Sequence, residues 1–221
     1  ALAASLAGSA LEANADISAV EGAWIPGAFD SSAGRGLPFS SDDGHFAFRA
    51  ALKGGSISLE TPQNAERSVW FAEARRLGAG TLTDPLWRTG SSADDFVATC
   101  AFPITRNGGF VGAVGVDLEF SSIRKTIAEA RPFGTGVCVL YSNAGSVVAH
   151  QDAKRVGHSI HEADRDLCGD AIQDVARAVN EGKAETFVSR SELLRSAVLV
   201  AVAPVKVGGS DKPWGIAVVV P

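Results

Sequence analysis

The residue best suited to bind a cation is Asp117, which ends an apolar stretch with the pattern of a β-strand. Alternate residues of a strand share one face, so Asp117 is predicted to face the same way as Val111, Ala113 and Gly115. A carboxylate beside a row of small residues faces open volume, and burying it requires a cationic or hydrogen-bonding partner. The alternative is that Asp117 ends its strand and caps the helix that follows.

A second candidate is the aromatic pair Trp70 and Phe71, which lies in a segment with helical spacing. The faces of Trp and Phe attract cations, most strongly where water is excluded. If the fold brings this pair to Asp117, the three side chains form a binding site for an ammonium group. The competing interpretation is that both rings belong to the hydrophobic core, the more common role of aromatics at helical spacing.

Signals for catalysis or metal binding are weak. The sequence contains no Gly-x-Ser-x-Gly motif and no P-loop, and Gly134-Thr135-Gly136 lacks the third glycine of a dinucleotide-binding loop. The motif His158-x-x-His161 could hold a metal, but it lies in a Gly- and Asp-rich segment with no fourth ligand in view. A small hydrolase that uses His150 and a neighbouring serine is a remote alternative. We therefore expect no enzyme, no metal site and no cofactor.

Composition excludes other classes of function. The 221-residue chain has 46% hydrophobic and 20% charged residues, which is a globular composition. Its net charge of −5 offers no basic surface for nucleic acid. No apolar run reaches the roughly 18–20 residues of a membrane helix. The absence of Met leads us to expect that the chain was processed or cut from a longer protein, from which a signal peptide or a flanking membrane helix could have been removed. Cys100, Cys138 and Cys168 show no paired spacing and are expected to be buried thiols.

The elements that must position these residues begin with a predicted long helix over residues 1–20. Its apolar stripe consists of Leu2, Leu6, Ala10, Ala13 and Ile17. Residues 24–66 are irregular, with many Gly, Ser and Pro residues, and are predicted to be an ordered loop region.

Strand signals follow from residue 94 to the C-terminus. A strand over 96–102 is predicted to end at Pro103, and Asn107-Gly108-Gly109 is a typical hairpin turn. Hairpins joined by helices, instead of strict strand–helix alternation, indicate an antiparallel α+β fold. We predict a long N-terminal helix with two tandem modules, each a central antiparallel sheet flanked by helices, and a boundary near residues 131–135.

Several segments resemble, in order and spacing, those of a double Cache sensor domain. Residues 110–118 (FVGAVGVDL) are similar to the last strand of its membrane-distal module. Residues 70–74 (WFAEA) and 82–85 (LTDP) resemble the pocket helix of that module and the lid strand after it. Residues 137–150 and 214–221 resemble the first hairpin and the closing strand of the membrane-proximal module.

The resemblance implies the extracytoplasmic sensor of a bacterial transmembrane receptor, most often a methyl-accepting chemotaxis protein, with two stacked PAS-like modules. It assigns residues 1–20 to the long helix, 21–120 to a ligand-binding distal module, 121–132 to a connecting helix and 133–221 to a proximal module. The full receptor is expected to be a homodimer in the inner membrane, with this domain in the periplasm and with no nucleic-acid partner. A histidine kinase that carries the same sensor is the alternative.

The ligand class depends on positions where this chain departs from the family. Amino-acid-binding members have an Arg two residues before the pocket Trp and a Tyr just after it. This chain keeps Trp70 and Asp117 but has Ser68 and Phe71 at those two positions. Phe71 cannot accept a hydrogen bond, whereas a quaternary ammonium has no N–H donors and binds aromatic faces beside an anion. We therefore predict a betaine or a choline-like ligand, with amino acids or simple amines second.

The predicted ligand site combines the pocket pair, two carboxylates and further aromatic rings. Asp84 resembles a pocket carboxylate of the family, and its alternative role is to open the Asp-Pro turn. The full set is Trp70, Phe71, Asp117, Asp84, Phe48, Trp87 and Trp24.

Overall fold

The computed structural model describes residues 2–28, 39, 45–53, 55–88, 96–207, 210 and 212–221. The helices are α1 (Leu2–Ala13), α2 (Val69–Leu77), α3 (Ser121–Glu129), α4 (Ile160–Ala163), α5 (Arg165–Cys168) and α6 (Ile172–Glu181). The strands are β1 (Ile17–Trp24), β2 (Ala47–Lys53), β3 (Ser56–Glu60), β4 (Thr81–Leu82), β5 (Leu86–Trp87), β6 (Phe96–Arg106), β7 (Gly109–Glu119), β8 (Val137–Tyr141), β9 (Val147–Ala149), β10 (Glu185–Ser191), β11 (Ser196–Val205) and β12 (Trp214–Val220). None of the helices in these ranges is long and apolar enough to span a membrane.

Contacts divide the chain into two compact units. The first contains Ala1–Thr83 and Ala98–Glu119, and the second contains Asp84–Val97 and Phe120–Pro221. Helix α3, predicted as a connection between modules, groups with the second unit. The segment that begins at Asp84, expected in the distal module, also groups with the second unit, because β5 pairs with the first two residues of β6 there.

The first unit is built on an antiparallel sheet with the strand order β3-β2-β1-β7-β6-β4. Helix α1 packs on one face of this sheet, where Leu11, Val20 and Phe48 are buried together. Helix α2 packs on the other face, where Trp70 and Phe71 are buried. The two faces therefore have separate small cores, and the face to which a side chain points decides which groups it can contact.

The second unit contains a five-stranded antiparallel sheet in the order β10-β11-β12-β8-β9. Helix α6 packs on this sheet, and its Val175 and Val179 are buried against Val139 and Val200. Gly182 ends α6 in the left-handed conformation, with φ 64°, as predicted for a C-terminal glycine. The predicted antiparallel α+β fold is confirmed.

The N-terminal helix is shorter than the predicted span of residues 1–20. It ends at Ala13, where the Asn14 side-chain amide donates a hydrogen bond to the Ala10 carbonyl oxygen at 2.9 Å. The chain then turns, and Ile17 begins β1, which pairs with β2 on one side and β7 on the other. The segment forms a strand despite its helical spacing, because it is hydrogen-bonded to a neighbouring strand on each side. Its residues Ile17 and Val20 are also favoured in strands.

Two other expectations about elements are wrong. The region 24–66, predicted as loop, contains β2 and β3, and strand β6 continues through Pro103 to Arg106. Thr99 directs its backbone N–H and C=O toward Thr83, and Pro103, four residues later, directs its nitrogen to the same side. Because β4 pairs only with Cys100 and Ala101, the missing N–H of Pro103 breaks no ladder bond.

The three cysteines are unpaired, and Cys168 is expected to be the least reactive. Burial, together with the Asp164 and Asp166 carboxylates, raises the pKa of its thiol to about 12. Because the thiolate is the reacting form, native protein at pH 8 should resist alkylation at Cys168 and become reactive in guanidinium. The partly exposed Cys100 serves as the internal control. Rapid labelling of native Cys168, located by mass spectrometry, would contradict this prediction.

Candidate functional site

Asp117 lies near the end of β7 with its side chain completely buried. The Thr99 hydroxyl on β6 donates a hydrogen bond to Oδ1 at 2.8 Å. The Arg49 guanidinium on β2 lies against the other oxygen, with Nη2 3.3 Å from Oδ2. The partner that a buried carboxylate requires is thus supplied by a hydroxyl and a cation of the protein. Asp117 does not cap α3, which begins at Ser121 without a side-chain cap bond.

Glu21 on β1 joins Asp117 and Arg49 on the same face of the sheet. The strand register places Glu21 opposite Arg49, and the residue opposite Asp117 is two positions before Glu21, at Ala19. Side chains at these positions project to one side. Glu21 is 5% exposed, and its Oε1 lies 3.7 Å from Arg49 Nε. Two carboxylates and one guanidinium thus lie together on this buried face.

Buried threonines extend this polar face toward β4. Thr81, Thr83 and Thr99 are all buried. The Thr83 hydroxyl accepts a hydrogen bond from the Thr99 backbone N–H at 2.9 Å, and the Thr81 hydroxyl lies 3.4 Å from Glu73 Oε2 on α2. Hydroxyl and carboxylate oxygens are acceptors for N–H groups, so this face is suited to a ligand that donates hydrogen bonds.

Helix α2 places the predicted aromatic pair on the same face. The Trp70 ring packs over Gly115, where an added Cβ would lie 3.1 Å from the ring. Gly115 is two residues before Asp117 and therefore on the same side of β7. Phe71 is 1% exposed and stands edge-on to Trp70, with ring centroids 5.8 Å apart. The structure thus brings Trp70, Phe71 and Asp117 to one face.

The turn before α2 supplies no cation to this face. The Ser68 hydroxyl donates a hydrogen bond to the Ala65 carbonyl oxygen at 2.6 Å. The Arg67 side chain is 81% exposed, and its Nε lies 3.8 Å from Glu66 Oε1. The position at which amino-acid-binding double Cache domains are expected to carry an Arg is therefore a helix-start serine in this chain.

Trp24 and Phe48, predicted as part of the same site, lie on the opposite face of the sheet. Phe48 precedes Arg49 on β2, and Trp24 follows Ala23 on β1, so strand alternation directs both rings to the face covered by α1. There the ring centroid of Trp24 lies 5.2 Å from that of Phe46 and 6.3 Å from that of Phe48. The predicted cage of these rings with Trp70 and Phe71 is therefore not formed.

Asp84 and Trp87 group with the second unit, and the contacts described for them lie within that unit. Asp84 is exposed, and its Oδ2 lies 3.4 Å from the Ser146 hydroxyl. The Trp87 side chain is 47% exposed, and its ring centroid lies 4.8 Å from that of Phe96.

Sequence reasoning missed Arg49, Glu21 and Thr99. The available signal is a charged residue in the interior of each of two short apolar runs, Glu21 in ISAVEGAW (17–24) and Arg49 in AFRAALK (47–53). This signal is visible only when both runs are read as strands, because alternation then directs each charge toward Asp117.

The second unit contains another buried polar network, centred on Asp164. The Tyr141 hydroxyl donates to Asp164 Oδ2 at 2.6 Å, and Arg155 Nη1 donates to Oδ1 at 3.0 Å. His150 Nε2 lies 3.5 Å from Oδ1, and His150 Nδ1 accepts the Asp152 backbone N–H at 2.8 Å. Burial lowers the pKa of His150, and burial with the Asp164 carboxylate raises the pKa of Tyr141. This network is a structural element of the unit's core.

These contacts argue against the remote hydrolase alternative. Both ring nitrogens of His150 already face other groups, namely the Asp152 N–H and the Asp164 carboxylate. Of the candidate nucleophiles, Ser142 is buried and its Oγ accepts the Ser146 backbone N–H at 3.1 Å. A general base must lie within hydrogen-bond reach of the hydroxyl that it activates, and no such bond to His150 is found among the described residues.

The predicted histidine motif lies beside an open cleft of about 770 Å³ in the second unit. His158 and His161 line this cleft together with Lys154, Arg165, Glu162 and Asp170. The lining therefore includes side chains of both charge signs. In the described part of the chain, no three His, Cys, Asp or Glu side chains are arranged to hold a metal ion.

The sequence is similar to methyl-accepting chemotaxis proteins. It is 24% identical over 189 residues to PscA of Pseudomonas syringae pv. tomato, covering 83% of this chain and 28% of PscA. It is 28% identical over 160 residues to PctB of Pseudomonas aeruginosa, covering 72% of this chain and 23% of PctB. The chain thus spans less than a third of the length of these curated relatives. No protein-family model matches it.

Solved structures share the fold. The extracellular domain of mmHK1S-Z2, described as a histidine kinase, has a TM-score of 0.85 at 24% identity, covering 99% of this chain and 80% of that one. The ligand-binding domain of the P. aeruginosa PAO1 amino-acid chemoreceptor PctC, in complex with GABA, has a TM-score of 0.59 at 17% identity, covering 94% and 75%. That of PctB, in complex with L-Arg, has a TM-score of 0.56 at 22% identity, covering 91% and 70%. The predicted resemblance is confirmed: the homologues are methyl-accepting chemotaxis proteins, and the fold is that of extracellular sensor domains.

Proposed function

We propose that this chain is the extracytoplasmic sensor domain of a transmembrane chemoreceptor and that its first unit binds a small ammonium-bearing metabolite. The observation that carries the proposal is the completely buried Asp117 carboxylate, on a face walled by Trp70 and Phe71. A carboxylate is rarely buried unless it is paired. Asp117 lies near the end of β7, in a fold shared with sensor domains. This position supports a ligand-binding role for the buried carboxylate.

The ligand we favour is an ammonium that carries N–H donors, such as an amine or an amino acid. The preference for a quaternary ammonium depended on a cage of several rings, and two of those rings lie on the other face of the sheet. Among the described residues, the face that carries Asp117 has one aromatic pair together with threonine hydroxyls and the Glu21 carboxylate, which accept N–H hydrogen bonds. GABA and L-Arg, bound by PctC and PctB, each carry an ammonium group. Betaines and choline-like compounds come second.

Signalling requires no bond to be made or broken. A ligand shifts a conformational equilibrium only by its differential affinity for the two states. We propose that the first unit is the membrane-distal module and that the second is the proximal one. A change at Asp117 would pass along β7 into the segment that begins α3 at Ser121, and so toward membrane helices outside this chain. In the full receptor, a periplasmic homodimer would transmit this change.

The sensor of a histidine kinase is the second candidate. Its support is the fold of mmHK1S-Z2, whose TM-score of 0.85 exceeds those of PctC and PctB, 0.59 and 0.56. The argument for ligand binding at Asp117 is the same whether the sensor belongs to a chemoreceptor or to a histidine kinase. Fusing this chain to the signalling half of a chemoreceptor and measuring attractant responses would test the first candidate directly.

The proposal is tested by a thermal-shift panel on the purified chain. The compounds are butylamine, 1,4-diaminobutane, GABA, L-arginine, glycine betaine, choline and succinate. A ligand at 100 times its Kd stabilises the native state by about 2.7 kcal/mol, which for this chain length raises Tm by several degrees. We expect shifts from one or more amines or amino acids. Tm shifts from glycine betaine or choline alone would instead favour a quaternary ammonium ligand. A Tm shift from succinate alone would overturn the proposed ammonium site.

A further inference from the structure

We propose that His150 is a pH-sensitive switch in the second unit. Its neutral imidazole holds the turn of residues 152–155 in place, and protonation of the imidazole releases that turn. The inference rests on contacts within the second unit and is independent of the ammonium site proposed for the first. Arg155, at the end of the turn, belongs both to the buried network and to the lining of the open cleft, so release of the turn would change both.

The His150 side chain anchors the start of the turn. His150 directly follows β9 and is 4% exposed. Its Nδ1 accepts the Asp152 backbone N–H at 2.8 Å, so the neutral ring carries its proton on Nε2. The Asp152 carboxylate then accepts the Lys154 N–H at 3.0 Å, and the Asp152 carbonyl oxygen accepts the Arg155 N–H at 3.1 Å. The bond from His150 therefore connects the whole turn to the end of β9.

Protonation reverses the role of Nδ1 in this contact. A protonated imidazole is a donor at both ring nitrogens, so Nδ1 would direct a hydrogen at the Asp152 N–H, and two donors form no bond. The opposite nitrogen, Nε2, is buried without a hydrogen-bond partner among the described residues and lies 3.5 Å from Asp164 Oδ1. A charged ring would therefore lose its bond to the turn and would be attracted to the Asp164 carboxylate.

Arg155 connects the other end of the turn to the same carboxylate oxygen. Its Nη1 donates to Asp164 Oδ1 at 3.0 Å and also to the Ala163 carbonyl oxygen. Its Nη1 and Nη2 donate to the two oxygens of Asp166 at 2.7 Å. A charged His150 would compete with Arg155 for Asp164 Oδ1. The partly exposed Asp166 can keep Arg155 after the turn has moved.

His150 is the group of this network that titrates near neutral pH. The charged groups that act on it or contact its strand are Asp152 and Arg155 of its own turn, Asp164 between α4 and α5, and Arg124 of α3, which donates to the Val148 carbonyl oxygen. Burial raises the pKa of the Tyr141 hydroxyl and of the Cys168 thiol, so both stay protonated below pH 7. Histidine is the side chain whose ordinary pKa lies between pH 5 and 8.

The direction of the pH effect follows from burial. Burial lowers the pKa of His150, and the Asp164 carboxylate opposes this effect. In an opened chain the pKa of histidine is about 6.5, so the opened form takes up a proton more readily than the closed form. Stabilisation of the turn by neutral His150 is therefore complete above a pH of about 6.5 and is lost as the pH falls through the lowered pKa of the closed form.

The test compares the pH dependence of wild type with that of His150→Asn. The Asn side-chain oxygen can take the place of Nδ1 as acceptor of the Asp152 N–H, but Asn does not titrate. In wild type, we expect the hydrogen-exchange protection factor of the Asp152 amide to fall at least about fivefold from pH 7 to pH 5, within the tenfold per pH unit that one proton allows. In His150→Asn it should change less than about twofold. The matched control, His158→Asn, removes an exposed histidine of the same segment and should behave as wild type.

A second measurement keeps the test valid if His150→Asn does not fold. Nitrogen NMR spectra of wild type should show the His150 proton on Nε2 at pH 7.5. The Asp152 amide and the Arg155 Nε–H resonances should then shift with the midpoint of the His150 titration. A proton on Nδ1 at pH 7.5, resonances that do not follow His150, or an unchanged pH dependence in folded His150→Asn would overturn the switch. Loss of the circular dichroism signal before His150 titrates would also overturn it, because the release would then not be local.

Discussion

Replacing Asp117 by Asn is expected to weaken the binding of an ammonium ligand at least about 100-fold, or about 2.7 kcal/mol. Asn has nearly the same shape, and its side-chain oxygen can still accept the Thr99 hydroxyl, so the fold keeps this contact. What the ligand loses is a charge-assisted hydrogen bond to a buried carboxylate, which is among the strongest polar contacts. Titration calorimetry with the tightest amine of the thermal panel measures the change.

The matched control for this substitution is Asp174→Asn on α6. The Asp174 side chain is 53% exposed and pairs with Arg177 on the protein surface, so its substitution should leave the Kd unchanged. Urea unfolding of both variants separates a lost contact from a lost fold. If Asp117→Asn unfolds cooperatively and binds amines as wild type does, Asp117 is a structural residue and the ligand site lies elsewhere.

Replacing Asp164 by Ala is expected to lower the free energy of unfolding by about 3–5 kcal/mol, because removing one partner leaves buried groups uncompensated. The Tyr141 hydroxyl loses its acceptor, and Arg155 Nη1 loses one of its carboxylates. Such a loss is a large part of the usual 5–15 kcal/mol stability of a domain. Equilibrium unfolding in urea, followed by circular dichroism, measures it.

Two further variants make the Asp164 result interpretable. Asp164→Asn keeps an acceptor for the Tyr141 hydroxyl and should cost less than Asp164→Ala, so the difference reports on that hydrogen bond. Asp174→Ala removes an exposed ion pair and should cost no more than about 1 kcal/mol. Equal effects of Asp164→Ala and Asp174→Ala would mean that the Asp164 network contributes little to stability.

The sequence by itself determined the features that depend on near neighbours in the chain. Asn107 and Gly108 form the predicted hairpin turn, with φ angles of 53° and 78°, because few other residues tolerate such values. Gly182 ends a helix for the same reason. The identity of the strand that carries Asp117, and the fold class, followed from local patterns and from their order along the chain.

Only the tertiary structure decided which side chains meet. Thr99 and Arg49 contact Asp117 from 18 and 68 residues away, and no local pattern encodes those pairings. The Ala-rich segment before residue 20 has helical spacing but pairs as a strand after Asn14, because β2 and β7 supply partners on both sides.

The two strands that replaced predicted helix and predicted loop, β1 and β2, reassigned the candidate site. A residue on a strand points to the side set by its position in the ladder, and its neighbour points to the other side. Arg49 therefore reaches Asp117, whereas the adjacent Phe48 joins Trp24 under α1. The sequence alone showed which residue types could bind an ammonium group, namely a strand-end carboxylate and an aromatic pair. Their assignment to one face or the other was not, because it depends on strand register, which long-range pairing sets.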